Sequence, residues 1–350
     1  MKHIDDDEHP TIRVSESDTG GYHWSAAICP TIPLFQYLCI FIQNIRMKIE
    51  NHIKGYGFAL IATIAGSTVY IFSKAAFEEV TLPQFGTYWF SLAIIWNTIF
   101  AYITPEHRKF KSISHKSFKV LGLMGLIEII ATTSFYAAIA VAANAAIPSF
   151  LKNMEYIFVA LLGVLLLGER FRRLEFLGVI LTFIGVFIIS YKKDAALIDY
   201  FVGSSGLMFV ATSFYAIRTI IAKKHIETIT PTILAINRAL FLFFTAFIFV
   251  IVLGQSMHIS NTAFINIAIG SFLGPFLTSY GQYNALKYIE ASKSAIIQST
   301  TALFVLLGGY LYFGRLPLGY QIAGGIFTIL GAILLVVGRK IQRPKVHNSK

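Results

Sequence analysis

Five charged residues stand inside stretches that are otherwise apolar, and these are the places where the chain could do chemistry. Lys152-Asn153-Met154-Glu155 sets a base and an acid three residues apart. On a helix that spacing puts both on one face, where they can neutralise each other. One reading is a structural ion pair that helps close a helix bundle. The other is a central site, in which Lys152 holds an anionic group and Glu155 takes an amine or a proton. Glu128 is followed by Thr132, Thr133 and Tyr136, a polar stripe at spacing four. Its carboxyl group could carry a coupling proton, or it could partner Lys152 or an arginine. Either Arg218 or Arg238 could snorkel to an interface, which is the first reading for Arg218, while Arg238, beside Asn237, could equally face a cavity. Tyr280, Gln282, Tyr283, Asn284 and Gln298 could add hydrogen bonds to a solute, or serve as glue between helices. The candidate substrate-binding residues are therefore Lys152, Asn153, Glu155, Tyr136, Arg238, Gln282 and Gln298, with Glu128 and Glu155 as coupling residues.

The elements that hold these residues follow from composition. Of 350 residues, 55% are hydrophobic and 13% charged, and the mean hydropathy is +0.65. Soluble domains carry about 25% charged residues, so half the usual charge excludes disorder and disfavours an ordinary soluble globule. A hydrocarbon core of about 30 Å takes roughly 20 apolar residues per helix. That ruler finds ten candidate spans, near 55–76, 83–103, 118–140, 145–167, 173–191, 203–223, 231–253, 263–286, 293–313 and 318–338. Pro148 should loosen the fourth, and Gly270-x-x-x-Gly274-Pro275 should kink the eighth. Residues 1–46 open with Asp5-Asp6-Asp7-Glu8 and hold only a short apolar piece, Leu34–Ile42. They read as a disordered or interfacial extension, and Met47 would make a natural start.

The basic residues divide sharply over these spans. Twenty of the 29 lysines and arginines fall in loops of one side, and only Lys74, Lys192, Lys193 and Arg315 fall on the other. The positive-inside rule then puts both termini in the cytoplasm. The net charge of +11 is thus a matter of topology and implies no nucleic acid. Cys29 and Cys39 form no CxxC pair, and all nine histidines lie outside or at the edges of the apolar runs. No Walker loop, GxSxG elbow or HExxH occurs, which speaks against hydrolysis and ATP-driven transport.

The chain also repeats itself after about 146 residues. Residues 158–186 align with 304–332, with Gly168 over Gly314, Gly178 over Gly324 and Gly185 over Gly331. Each unit would hold five spans, an odd number, so the second must be inverted relative to the first. Inverted repeats mark secondary transporters. The segments Leu161-Leu162-Gly163, Leu167-Gly168-Glu169, Gly178 and Gly185, echoed by Gly308-Gly309, Phe313-Gly314, Gly324 and Gly331, resemble the EamA-type permeases of the drug/metabolite transporter superfamily. The resemblance covers residues 47–340 and departs at Arg315, where the family usually has Glu, and at Tyr156, where it usually has proline. The stretch around Lys152 is also similar to the lysine-containing segment of triose-phosphate translocators.

The expectation is an all-α integral membrane protein of ten transmembrane helices in two inverted five-helix repeats. These are residues 47–191 and 192–340, after an extension over 1–46 and before a cytoplasmic tail over 341–350. It should be a secondary carrier in a bacterial inner membrane, moving a small polar metabolite by alternating access. An amino acid or related compound is the first choice, a phosphorylated or other anionic metabolite the second, and a non-transporting scaffold the rival class. The expected partners are a small-molecule solute and the lipid bilayer, with a coupling proton and without nucleic acid, cofactor or metal. The oligomeric state is left open.

Overall fold

The apolar runs form helices wherever the ruler placed them. The computed structural model describes residues 33–103, 114–167, 173–191, 202–225, 229–289, 294 and 297–340, with backbone alone up to His52. The helices are α1 (Pro33–Ala76), α2 (Leu82–Ile103), α3 (His115–Val141), α4 (Ala146–Leu151), α5 (Met154–Leu167), α6 (Arg173–Ser190), α7 (Ser204–His225), α8 (Pro231–Val252), α9 (Asn261–Ser271), α10 (Ser279–Tyr288), α11 (Thr301–Phe313) and α12 (Gly319–Lys340). Among the described residues, seven helices are long and apolar enough to cross a membrane, and a shorter apolar one covers Ile297–Phe313. The other two expected spans are α2 and the broken pair α4–α5. In the N-terminal segment the backbone is helical from Pro33. Residues 1–32 lie outside the described residues, as do Gly168, Glu169, the tail over 341–350 and the loops bearing Lys109, Lys111, Arg170 and Lys192.

Caps fix several helix ends. Ser114, Thr230 and Ser260 each accept a hydrogen bond from the backbone N–H three residues on, at the starts of α3, α8 and α9. Pro231 follows Thr230 at the first helical position, where no intrahelical N–H is needed. The kink expected at Pro275 is a π-helical stretch over Phe272–Thr278, and Thr278 donates to the Leu273 carbonyl at 2.9 Å.

Glycines set the closest contacts. α6 and α12 cross with Gly178 against Gly331 and Gly185 against Gly324. A Cβ at Gly185 would stand 2.5 Å from the Gly324 carbonyl oxygen, and one at Gly178 would stand 2.6 Å from the Leu335 backbone nitrogen. The smooth edges read from sequence therefore pack on each other, backbone to backbone. Gly270 leaves room for the indole of Trp89, where an added Cβ would lie 2.5 Å from the ring. Gly270→Val is expected to push the indole aside and shift tryptophan emission to the red. Gly57→Ala, with nothing within 4 Å, is expected to leave emission unchanged.

The core runs along the inner faces of these helices, with Trp89, Phe85, Phe150, Ile139 and Leu151 fully buried. Rows of Leu, Ile and Phe on the outer faces of α6, α8 and α12 stay exposed. In water that surface would be a liability; against lipid it is the solvent-matched face.

Candidate functional site

The site begins with a break in the fourth span. Pro148 lies in the first turn of α4, where its missing N–H removes no intrahelical bond. α4 ends at Leu151, Lys152 and Asn153 form a turn, and α5 starts at Met154. The backbone tightens to three-residue bonds there: Asn153 N–H donates to the Phe150 carbonyl and Glu155 N–H to that of Lys152. Lys152 thus sits at the C-terminal end of one half-helix, and Glu155 in the first turn of the next. Each charge faces the helix end of opposite partial charge. Lys152 Nζ donates to Glu155 Oε2 across the break, and Thr219 Oγ1 of α7 donates to Glu155 Oε1 at 3.1 Å.

Glu128, midway along α3, anchors the second half of the cluster. Arg218 Nη1 of α7 donates to its Oε1 at 3.0 Å, and Thr132 Oγ1 donates to its Oε2 at 2.7 Å. Arg238 Nε of α8 lies 3.2 Å from the same Oε2, and Arg238 Nη2 donates to Thr132 Oγ1 at 3.3 Å. The Thr132 hydroxyl and Tyr215 OH are 3.0 Å apart. Since the Thr132 proton goes to Glu128, Tyr215 is the donor in that pair. The Tyr215 ring joins the two halves: Lys152 Nζ lies 4.2 Å and the Arg218 guanidinium 4.6 Å from its centroid. Glu128 is buried, with 4% of its side chain exposed, whereas Lys152 keeps 28%, Arg238 22%, Arg218 18% and Glu155 14%. The basic groups and Glu155 therefore keep part of their surface accessible.

An aromatic layer covers the cluster on the side of the α3 C-terminus. Phe77, Phe85, Trp89, Phe135 and Tyr136 meet at centroid distances of 4.5–6.5 Å, and Phe135 reaches Tyr215 at 6.1 Å. Beyond it, the loop after α1 is tied to the loop after α8. Thr81 Oγ1 donates to Gln255 Oε1 at 2.6 Å, and Gln84 Nε2 donates to the Ser256 carbonyl at 2.7 Å. Lys74 Nζ donates to the Ala140 carbonyl at 2.9 Å, a cation on the C-terminal end of α3.

The structure gathers Lys152, Glu155, Glu128 and Arg238, with Tyr136 in the aromatic layer beside them. It does not bring in the other three. Asn153 Nδ2 donates to Thr328 Oγ1 of α12 at 3.3 Å, a tie between helices. Gln282 Nε2 donates to Gln298 Oε1 at 2.6 Å, and Gln298 Nε2 to Ser294 Oγ at 2.8 Å, which makes a separate amide pair. Arg218 does not snorkel; the buried Glu128 carboxylate holds it inward. Sequence reasoning placed Thr132 in the stripe after Glu128 but passed over Tyr215 and Thr219 as working parts. Their signal was present: Tyr215, Arg218 and Thr219 are spaced three and four apart, one polar face on α7. Among the described residues, no group of three or more His, Cys, Asp or Glu side chains could hold a metal ion.

Comparison with known proteins places this bundle. Residues 53–191 and 204–337 each match the profile of the EamA-like transporter family. A protein of Synechocystis sp. named only as an uncharacterized transporter is 26% identical over 216 residues, covering 57% of this chain and 61% of that protein. The chain thus spans less than two thirds of that relative's length. A protein of known crystal structure superposes with a TM-score of 0.57 over 84% of this chain and 99% of its own, at 10% identity, a likeness of fold alone.

Proposed function

The chain belongs to the EamA-like transporter family, and from that premise we propose that it is a secondary carrier for a small polar metabolite. The observation that carries the reading is the charged cluster built from α3, α4–α5, α7 and α8, partly accessible and set among apolar helices. Placing one charge at the bilayer centre costs about 2.5–3.5 kcal/mol on insertion scales. Five of them mark a working site rather than a scaffold's core.

Alternating access about this site would use two inverted five-helix units. Three observations support that arrangement: the 146-residue repeat, the two family matches of similar length, and the crossing in which Gly178 meets Gly331 while Gly185 meets Gly324. Exchanging each residue for its repeat mate turns the first contact into the second, as a two-fold axis in the membrane plane would do. The aromatic layer and the Thr81–Gln255 tie form one gate, closed in this conformation. Both termini face the cytoplasm of a bacterial inner membrane, on the 20-to-4 division of basic residues. Glu155, which is more exposed than the enclosed Glu128, is better placed to exchange a coupling proton.

Uptake of candidate solutes into proteoliposomes tests the carrier. Lys152→Ala and Glu155→Gln are each expected to lower the rate by about tenfold or more, the loss of one charge-assisted contact. Failure of the wild-type protein to move any polar solute under any imposed gradient sinks the carrier. Full activity in both variants sinks the site.

A further inference from the structure

The cluster has a surplus that its own residues do not use. Among the described residues its formal charges are those of Glu128, Glu155, Lys152, Arg218 and Arg238, which leave +1. The carboxylates are spent: Glu128 receives Arg218, Arg238 and Thr132, while Glu155 receives Lys152 and Thr219. The donors are not. An ammonium group carries three N–H bonds and a guanidinium five. Among the described residues Lys152 gives one N–H to Glu155 and rests another face on Tyr215. Arg238 sets its Nε against Glu128 and gives one Nη2 N–H to Thr132, and 22% of its side chain stays exposed. These two groups meet around Tyr215, whose ring faces Lys152 and whose hydroxyl reaches Arg238 through Thr132.

We propose that this site binds the oxyanion group, carboxylate or phosphate, of a solute with one more negative than positive charge, seated on Lys152 and Arg238 beside the Tyr215 ring. A cationic solute would meet a net positive site whose two carboxylates are already engaged. A zwitterion would supply both signs and leave the surplus charge uncompensated in a low-dielectric interior, where that is costly. A net monoanion balances the charge and gives the unspent donors an acceptor, and charge-assisted bonds of this kind are the strong ones. Among amino acids the acidic ones meet the requirement, so the inference narrows the carrier reading on which it rests.

The test uses the full chain purified in detergent and reads binding separately from transport. Thermal shift and calorimetry are run with lactate, glutamate and phosphoethanolamine, each close to a net monoanion, and with alanine and choline as zwitterionic and cationic counterparts. At least one of the three oxyanion probes is expected to stabilise the protein, and alanine and choline are not. The pattern among the three separates a carboxylate site from a phosphate site. Lys152→Met and Arg238→Met are each expected to weaken binding about tenfold, while Lys152→Arg stays within about threefold. If Arg238→Met does not fold, Arg238→Lys is read instead; it keeps the charge, loses the planar fork, and should still bind more weakly. Stabilisation by alanine or choline alone, by no probe, or equally in every variant overturns the proposal. Proteoliposome uptake then distinguishes the two ideas. An oxyanion that binds through Lys152 and Arg238 without being carried removes the carrier and keeps the site. A zwitterion that is carried while the oxyanions are excluded does the reverse.

Discussion

Glu128→Ala is expected to lower the melting temperature of the purified protein more than any other single change within the charged cluster. The physical reason is the number of partners left behind. Glu128 is nearly fully enclosed and answers two guanidinium groups, Arg218 at 3.0 Å and Arg238 at 3.2 Å. Removing one partner from a buried pair costs about 3–5 kcal/mol, because the remaining charge keeps its desolvation penalty without its compensation. Here two guanidinium groups would lose their shared carboxylate at once, and Thr132 would lose its acceptor. Glu155→Ala should cost less, since Lys152 is the most exposed member of the cluster. A double-mutant cycle separates this account from simple loss of packing. Arg238→Gln in the Glu128→Gln background should restore part of the stability that Glu128→Gln loses. If the two losses add without coupling, Glu128 and Arg238 do not act as a pair. Thermal melts monitored by size-exclusion chromatography read both effects.

Gly185→Leu and Gly331→Leu are expected to prevent the closed packing of α6 on α12. In most cores, overpacking costs about 1–3 kcal/mol because side chains can turn aside. At this crossing most of the atoms met are main chain, with the Thr182 and Thr328 side chains beside them. A Cβ at Gly331 would lie 2.6 Å from the Thr182 backbone nitrogen and 2.7 Å from the Gly178 carbonyl oxygen. The helices would have to separate along their whole contact, so the loss should exceed the usual range and appear as aggregation or failure to purify. Gly309→Ala on α11, with nothing within 4 Å of the added methyl, should hold stability or raise it by up to about 1 kcal/mol, the gain of replacing a helical glycine. Equal tolerance of leucine and alanine at these sites would mean that the crossing is not a tight contact in the membrane.

The contrast between these predictions shows where the sequence was readable. Helix positions were, because lipid imposes a length and an apolar composition on each span, and both are local properties. The glycine edges on α6 and α12 were visible by their seven-residue spacing, though their mutual contact was not. The break at Lys152-Asn153 was hidden inside what read as one continuous span, with Pro148 its only local hint. Pairings across helices were hardest. Whether Arg218 snorkels or turns inward depends on a carboxylate 90 residues away, and no local pattern carries that distance. The same holds for Asn153, whose partner Thr328 lies 175 residues further on, and for Gln282 and Gln298, whose amides satisfy each other.

The long reach between Glu128 and its arginines also bears on how the protein is made. The third helix emerges with its carboxylate when neither α7 nor α8 has yet been translated. At about 5–20 residues per second, the 90 residues up to Arg218 take roughly 5–20 seconds. During that interval neither arginine of the folded cluster is available to the carboxylate. Completion of the ionic cluster is therefore a late event in biogenesis, and the second half of the chain acts as the counter-charge that settles the first half in the bilayer.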